Sequence, residues 1–493
     1  MDGGERLIRH GRPLKGFLFS HAAVFAFLSG VAVRAYPEVL AGPYPLGFDT
    51  TTGYLSTLMT TNVFTMSASQ LLGGANLYYV VQQAAYSVLG DPFLTLKVVS
   101  VILYGLFALS IFVYSSRGLK LSVRTSLVAS ALASLSWLAL RLSWDLERNV
   151  LGLSLAILTL ALLSSHRRGS RLLAAPMALL AVWAHQLVAV FLLGCMAVEL
   201  MFDAARSGRL SSEKLLAIAP ASALFLFENY SPRTVIAVPA WSSTSMWGYG
   251  PAETWGGLVY FLLLSWPLLV LAGGIAFRRG FRPSGALVAW SAFALCFALL
   301  LPAFGLNTVW PYRVWLMMAF PLPILAAAGA DAWPRLAKVS PLTAGSLLLL
   351  VLAVPFLSLP PEALPVNYAL GVVNYGPSAY QQNVVPVEAT PKLLEALKEA
   401  STVSGGKTLL LPEQFVGFSR YVHIDGAVSV GLVGSWYGNT LDSAVLAKAE
   451  GMEPPYETIW WKAGSRWYGV PPPSQDVVTI GGNDMFVLYE VKT

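Results

Sequence analysis

The sequence has little charge and almost no cysteine. Only 12% of its 493 residues are charged, where a soluble domain carries about 25%, and 56% are hydrophobic. That balance excludes an ordinary soluble domain and puts the chain in the bilayer. The two cysteines, Cys195 and Cys296, both fall inside apolar runs, where a thiol behaves as a small hydrophobe. Neither has an evident disulfide partner, so the cysteines do not indicate a redox compartment. No internal repeat of fixed period is present, which argues against a solenoid. Also missing is a small-residue cleavage site after residues 1–16, MDGGERLIRHGRPLKG. Their basic flank resembles a signal peptide, but the apolar run that follows is about 20 residues long, so an uncleaved first helix is expected. The formal charge of +6 would suit nucleic acid, but the basic residues form short clusters between apolar runs. Membrane topology explains such a pattern, and no nucleic-acid partner is expected.

What is present is a succession of apolar runs near 16–36, 93–115, 123–142, 149–165, 171–185, 186–203, 214–229, 254–277, 285–304, 312–330 and 341–359. About 20 apolar residues suffice for a helix to cross the hydrocarbon core, so the pattern predicts a polytopic α-helical membrane protein with about eleven transmembrane helices. Arg6, Arg9, Arg12 and Lys15 precede the first run. The basic stretches 117–124, 166–171, 203–214, 278–282 and 331–338 occupy every second connection after it. The positive-inside bias makes these segments cytoplasmic, with the N-terminus. An odd number of spans then leaves the C-terminus outside.

The first external loop, 37–92, is the largest. Its stretch 53–90 mixes aromatic, small and polar residues, which predicts amphipathic helices at the interface; a further span there would invert every later loop. Residues 1–360 form the transmembrane domain in this reading. After Pro360 the polar residues return, and 361–493 reads as an external soluble α/β domain. Helices are predicted at 391–401 and near 441–449, strands at 407–411 and near 421–424, and a closing hairpin from VVTIGG and MFVLYEV around an Asn-Asp turn.

The segment PYPLGFDTTTGY, 43–54, sets one acid, Asp49, among Pro and Gly turn residues just beyond the first span. The plainer reading makes Asp49 the N-cap of the interfacial helix. At the start of the fourth span SWDLERNVLG gathers Asp145, Glu147, Arg148 and Asn149, equally readable as a solvated loop. His185 and Gln186 mark a polar turn between the fifth and sixth spans. Arg313 stands among Trp310, Tyr312 and Trp315, which also suit an aromatic belt. Arg34, Arg141, Arg148, Arg233 and Arg313 all fall on the external side, against the general bias. Such a cluster calls for an anion, because guanidinium forks phosphate oxygens as lysine cannot; Arg34 and Arg141 are expected instead to snorkel.

Gly47, Asp49 and Tyr54, set in this topology, resemble the GT-C superfamily of integral membrane glycosyltransferases. Protein O-mannosyltransferases, aminoarabinose transferases and oligosaccharyltransferases belong to it. The resemblance implies transfer of a sugar from a polyprenyl phosphate or diphosphate to a protein, lipid or glycan acceptor at the external face, with inversion. It implies Asp49 as general base, Arg313, Arg148, Arg233 and His185 as donor-phosphate ligands, and Tyr54, Asp145 and Glu147 as candidates around the donor and acceptor. Asp145 and Glu147 with Asp49 would also suit a divalent metal, as hard carboxylate oxygens do; whether the chain uses a cofactor is left open. Within the superfamily, oligosaccharyltransferases carry a Trp-Trp-Asp-x-Gly motif. Here Trp460 and Trp461 are followed by Lys462, which argues against sequon recognition. Two other classes fit the same spans. A transporter or flippase would have its charges at mid-bilayer, and a non-catalytic membrane scaffold would tolerate loss of Asp49.

Overall fold

A computed structural model describes residues 11–230, 251–277, 281–300, 311–330, 385, 387–403, 407–424, 427–430, 453–463 and 477–492. Helices cover the first ten predicted spans: Gly11–Leu40, Pro92–Val113, Val123–Leu135 with Trp137–Asp145, Glu147–Leu163, Ala174–Ala184, Gln186–Ser207, Ser212–Tyr230, Pro251–Gly273, Gly285–Leu295, and Pro311–Leu316 with Pro321–Ala330. The eleventh, 341–359, lies outside the described residues. Among the described residues four helices are long and apolar enough to cross a membrane, and two bent pairs raise that to six. Part of the difference from eleven is length, since a helix rises about 1.5 Å per residue and three of the remaining helices hold 11 to 17 residues. Between 41 and 91 the longest helix is Leu77–Leu89, too short to cross, as expected of an interfacial segment.

The helices are those of a membrane protein. On Pro251–Gly273 the residues Trp255, Val259, Leu262, Leu263, Trp266 and Val270 are exposed and recur at helical spacing. Such an apolar stripe is at home in hydrocarbon rather than water. Helix contacts are made through small residues, as is usual where lipid gives no hydrophobic drive between helices. A Cβ on Gly30 would lie 2.7 Å from the Tyr104 carbonyl and 2.7 Å from Ala108, and one on Gly105 would lie 2.6 Å from Val31.

The chain divides into two compact units: 1–36, 65–80 and 100–375 form one, and 37–64, 81–99 and 376–493 form the other. The second contains a five-stranded sheet in the order β2-β1-β3-β5-β4, with β1 Leu409–Pro412, β2 Val428–Val430, β3 Tyr456–Trp461, β4 Val477–Gly482 and β5 Phe486–Val491. β1 runs parallel to β2 and β3, whereas β5 runs antiparallel to β3 and β4. The predicted hairpin is β4–β5, and the predicted helix is Thr390–Val403. The strand expected near 421–424 is absent. Glu413–Tyr421 is a helix with Phe415 and Phe418 buried on one face, and Val422 and His423 form a turn after it, with His423 at φ +63°, where a strand cannot run. The helix expected near 441–449 lies outside the described residues. Trp460 and Trp461 are buried in β3.

Candidate functional site

In the first unit the site is built at two breaks between helices, at Leu146 and at His185, the first preceded by a bend at Ser136. Val123–Leu135 stops at Ser136, whose extended backbone and Oγ cap the next helix through the Ala139 N–H. The chain turns by 54° there. The short helix Trp137–Asp145 that follows ends at Leu146, and Glu147 opens the next helix in its first turn, where a carboxylate faces the positive end of the helix dipole. His185 is the second break. With φ −161° and ψ 126° it closes Ala174–Ala184 and opens Gln186–Ser207. The two breaks meet because Gly152 has no side chain; a Cβ there would sit 3.2 Å from the His185 Cβ.

Arg148 lies at this junction. Its Nη2 donates to the Ala75 carbonyl at 2.7 Å, and its guanidinium stands 5.4 Å from the centre of the Tyr79 ring, within cation–π range. The charge of Arg148 acts on both His185 and Glu228, and that of Arg313 acts on His185 as well. Tyr78 is fully buried, and its hydroxyl is held well above its ordinary pKa, first by burial and then by the carboxylate of Glu147; Arg34 and Arg148 act in the opposite sense. Sequence reasoning proposes Arg148, Arg313, His185 and Glu147, and these are gathered here with Glu228, Tyr78 and Arg34, which it did not select.

Several polar groups at this junction are buried without a hydrogen-bond partner among the described residues: both carboxylate oxygens of Glu228, both amide atoms of Asn149, Nδ1 of His185 and Nε of Arg148. An unmet buried polar group costs roughly 1–3 kcal/mol, and a cluster of them marks a binding site more readily than a structural core. Glu228 had a signal in the sequence, a single acid closing the apolar run 214–229. Arg34 and Arg141 do not snorkel, for both are buried, and Nε of Arg34 donates to the Ser143 carbonyl at 2.9 Å. That carbonyl lies two residues before Asp145 in the helix that leads to Glu147, so Arg34 braces the break.

Asp49 and Tyr54 belong to the second unit. Gly47 turns the chain at φ +115°, a conformation that favours glycine. Asp49 then precedes a π-helical turn, Thr50–Tyr54, and its side chain makes no capping hydrogen bond, which removes the plainer reading of this acid. The threonines satisfy themselves, Thr52 Oγ1 donating to the Phe48 carbonyl at 2.8 Å. The segment is fixed from two sides. Gln82 Nε2 donates to the Tyr54 carbonyl at 3.1 Å, and Lys97 Nζ donates to the carbonyls of Glu38 at 2.6 Å, Tyr44 at 3.2 Å and Gly42. Behind it runs helix Glu413–Tyr421, whose Gly417 comes so close that a Cβ would lie 1.7 Å from the Thr51 carbonyl oxygen.

Arg233 and the side chain of Asp145 lie outside the described residues. Among the described residues no three His, Cys, Asp or Glu side chains come together as metal ligands, and the metal set the sequence offers, with Asp145 in it, extends beyond them.

No family model matches the chain, and no curated protein matches it in sequence. Solved structures do. ArnT from Cupriavidus metallidurans bound to undecaprenyl phosphate superposes with a TM-score of 0.53 at 13% identity, over 96% of this chain and 97% of that one. The same enzyme in the apo state gives 0.53 at 12% identity, over 97% and 98%. The apo oligosaccharyltransferase of Archaeoglobus fulgidus gives 0.52 at 11% identity, over 91% of this chain and 70% of that one. Both proteins are GT-C glycosyltransferases. The chain has a GT-C-like fold, and at these identities the likeness is one of fold.

Proposed function

We propose that this protein is a glycosyltransferase that moves a sugar from a polyprenyl phosphate or diphosphate to an acceptor at the external membrane face. The observation that carries the reading is the junction of Arg148, His185, Asn149 and Glu228, several of whose polar atoms are buried and unmatched among the described residues, in a chain with a GT-C-like fold. A lipid phosphate would answer the unmet donors of Arg148 and Asn149.

In this reading the acceptor hydroxyl gives its proton to the Asp49 carboxylate as its oxygen bonds to the anomeric carbon. The bond from that carbon to the phosphate oxygen breaks, and the electron pair leaves with the phosphate. One displacement of this kind inverts the anomeric centre. A positioned base contributes about 10²–10⁴-fold. Arg148 and Arg313, with Arg233 and His185 as further ligands, stabilise the charge that gathers on the leaving phosphate, so they bind the transition state more tightly than the ground state. Tyr54, Asp145 and Glu147 serve the sugar or acceptor. The N-terminus is cytoplasmic, and 361–493 is external, where it binds the acceptor or supports the first loop.

The test is transfer of radiolabel from a mixed pool of polyprenyl-phosphate sugars to native membrane acceptors by purified protein. Asp49→Asn is expected to lower transfer by about 10²-fold or more, with the folded state checked by thermal unfolding. Full activity in Asp49→Asn would remove the residue as base. No transfer by wild type with intact donor would overturn the assignment in favour of a transporter or scaffold.

A further inference from the structure

A second feature of the first unit lies among the basic turns, away from the junction just described. A cleft of about 560 Å³ opens between the π-helical turn Tyr114–Gly118, the end of helix Glu147–Leu163 and the start of helix Ala174–Ala184. Its inner wall is apolar, from Leu158, Leu162 and Met177. Its rim is basic, from Arg117, His166 and Arg167, and none of the residues lining it is acidic. The rim is organised. The Arg117 guanidinium stands 4.4 Å from the centre of the Phe19 ring, and Lys120 Nζ meets His166 Nε2 at 3.1 Å. The nearby acid Glu213 is engaged with Arg171 at 3.7 Å. Leu172 and Leu173 beside the mouth are 41% and 59% exposed, which suits an opening toward hydrocarbon rather than water.

We propose that this cleft is a binding site for one anionic phospholipid. A free phosphate would need only the basic rim and would leave the apolar wall unused, whereas a neutral lipid would leave the arginines unanswered. A phospholipid with a net negative headgroup uses both parts. Its phosphate meets Arg117 and Arg167, and its acyl chain runs over Leu158, Leu162 and Met177 and leaves past Leu173. Basic pockets between membrane helices select such headgroups on electrostatic grounds. The proposal stands apart from the glycosyl-transfer reading, since it uses none of the residues assigned to that chemistry.

The experiment is native mass spectrometry of the full chain in detergent, with dioleoylphosphatidylglycerol or dioleoylphosphatidylcholine added and inorganic phosphate as competitor. The phosphatidylglycerol adduct is expected to dominate and to resist inorganic phosphate. Arg117→Gln with Arg167→Gln is expected to weaken it by about 25-fold, at about fivefold for each charge removed. Met177→Trp, which narrows the apolar wall and keeps both arginines, is expected to weaken it too. Arg206→Gln with Arg209→Gln, an exposed basic pair that does not line the cleft, is expected to leave it unchanged. Equal retention of the two lipids, or equal loss in both arginine pairs, would overturn the site in favour of general charge attraction. Displacement by inorganic phosphate together with an unaffected Met177→Trp would overturn the lipid as its occupant.

Discussion

Arg148 donates to a backbone carbonyl and lies against an aromatic ring, so it is held by neutral groups and keeps its charge for an anion. A lysine there retains the charge and loses the planar fork. Arg148→Lys is therefore expected to cut polyprenyl-linked transfer by about 10²-fold, the worth of one positioned donor to a developing anion, with steady-state kinetics as the check. Glu228 is the acid of this junction. Both its oxygens are unmatched among the described residues, so a donor hydroxyl is expected to meet it, and Glu228→Ala is expected to raise the donor KM by about fivefold, the worth of roughly 1 kcal/mol for one hydrogen bond. An unchanged KM would separate Glu228 from the donor. Of these two, the arginine was legible in the sequence because a cation between apolar runs stands out. The signal of the glutamate is weaker, because an acid at the end of an apolar run looks the same whether it meets water or a buried arginine.

Two elements of the second unit carry their own tests. Helix Glu413–Tyr421 meets the Thr50–Tyr54 turn through Gly417, and its Tyr421 stacks on Phe93 at 4.4 Å. Gly417→Ala puts a methyl into the Thr51 carbonyl and forces the two segments apart, an overpacking that costs about 1–3 kcal/mol. Faster proteolysis of this unit is the expected readout. In the sheet, Glu457 of β3 faces Glu490 of β5 across the ladder, with Lys407 Nζ on the Glu490 carboxylate at 2.5 Å. Burial raises the Glu457 pKa, Lys407 draws it back, and the like charge of Glu490 raises it further. The folded state thus holds this proton more tightly than the unfolded chain does. The associated stability is present in full below the ordinary glutamate pKa and fades as pH rises through the raised value. Glu457→Gln should remove that dependence and stabilise the sheet near neutral pH by roughly 1 kcal/mol, as denaturant unfolding at pH 4 to 8 would register. The hairpin β4–β5 was readable because its residues alternate around an Asn-Asp turn. The helix at 413–421 was not, because its short apolar stretch fits either period and only the packing of Phe415 and Phe418 decides.

At the scale of the whole molecule, hydropathy and charge alternation found the helical segments and the two breaks at Leu146 and His185 that build the candidate site, because polar residues mark both. They did not find the bend at Ser136, which interrupts an apolar run without a proline or glycine to announce it. The sequence also suggested a cut near residue 360, whereas the compact units interleave, with 37–64 and 81–99 grouped with 376–493. Removal of 376–493 is therefore expected to leave 37–64 open to protease in the purified membrane protein, where the full chain protects it; equal protection would show that the early segments stand without the late ones. The close approach of Gly417 to Thr51 has a consequence in time. A ribosome adds about 5–20 residues per second, so the turn beside Asp49 emerges roughly 20–70 s before the glycine that receives it, at that rate. Until then a nascent chain carries its acid on an unsupported loop, and a segment translated much later is the one that completes it.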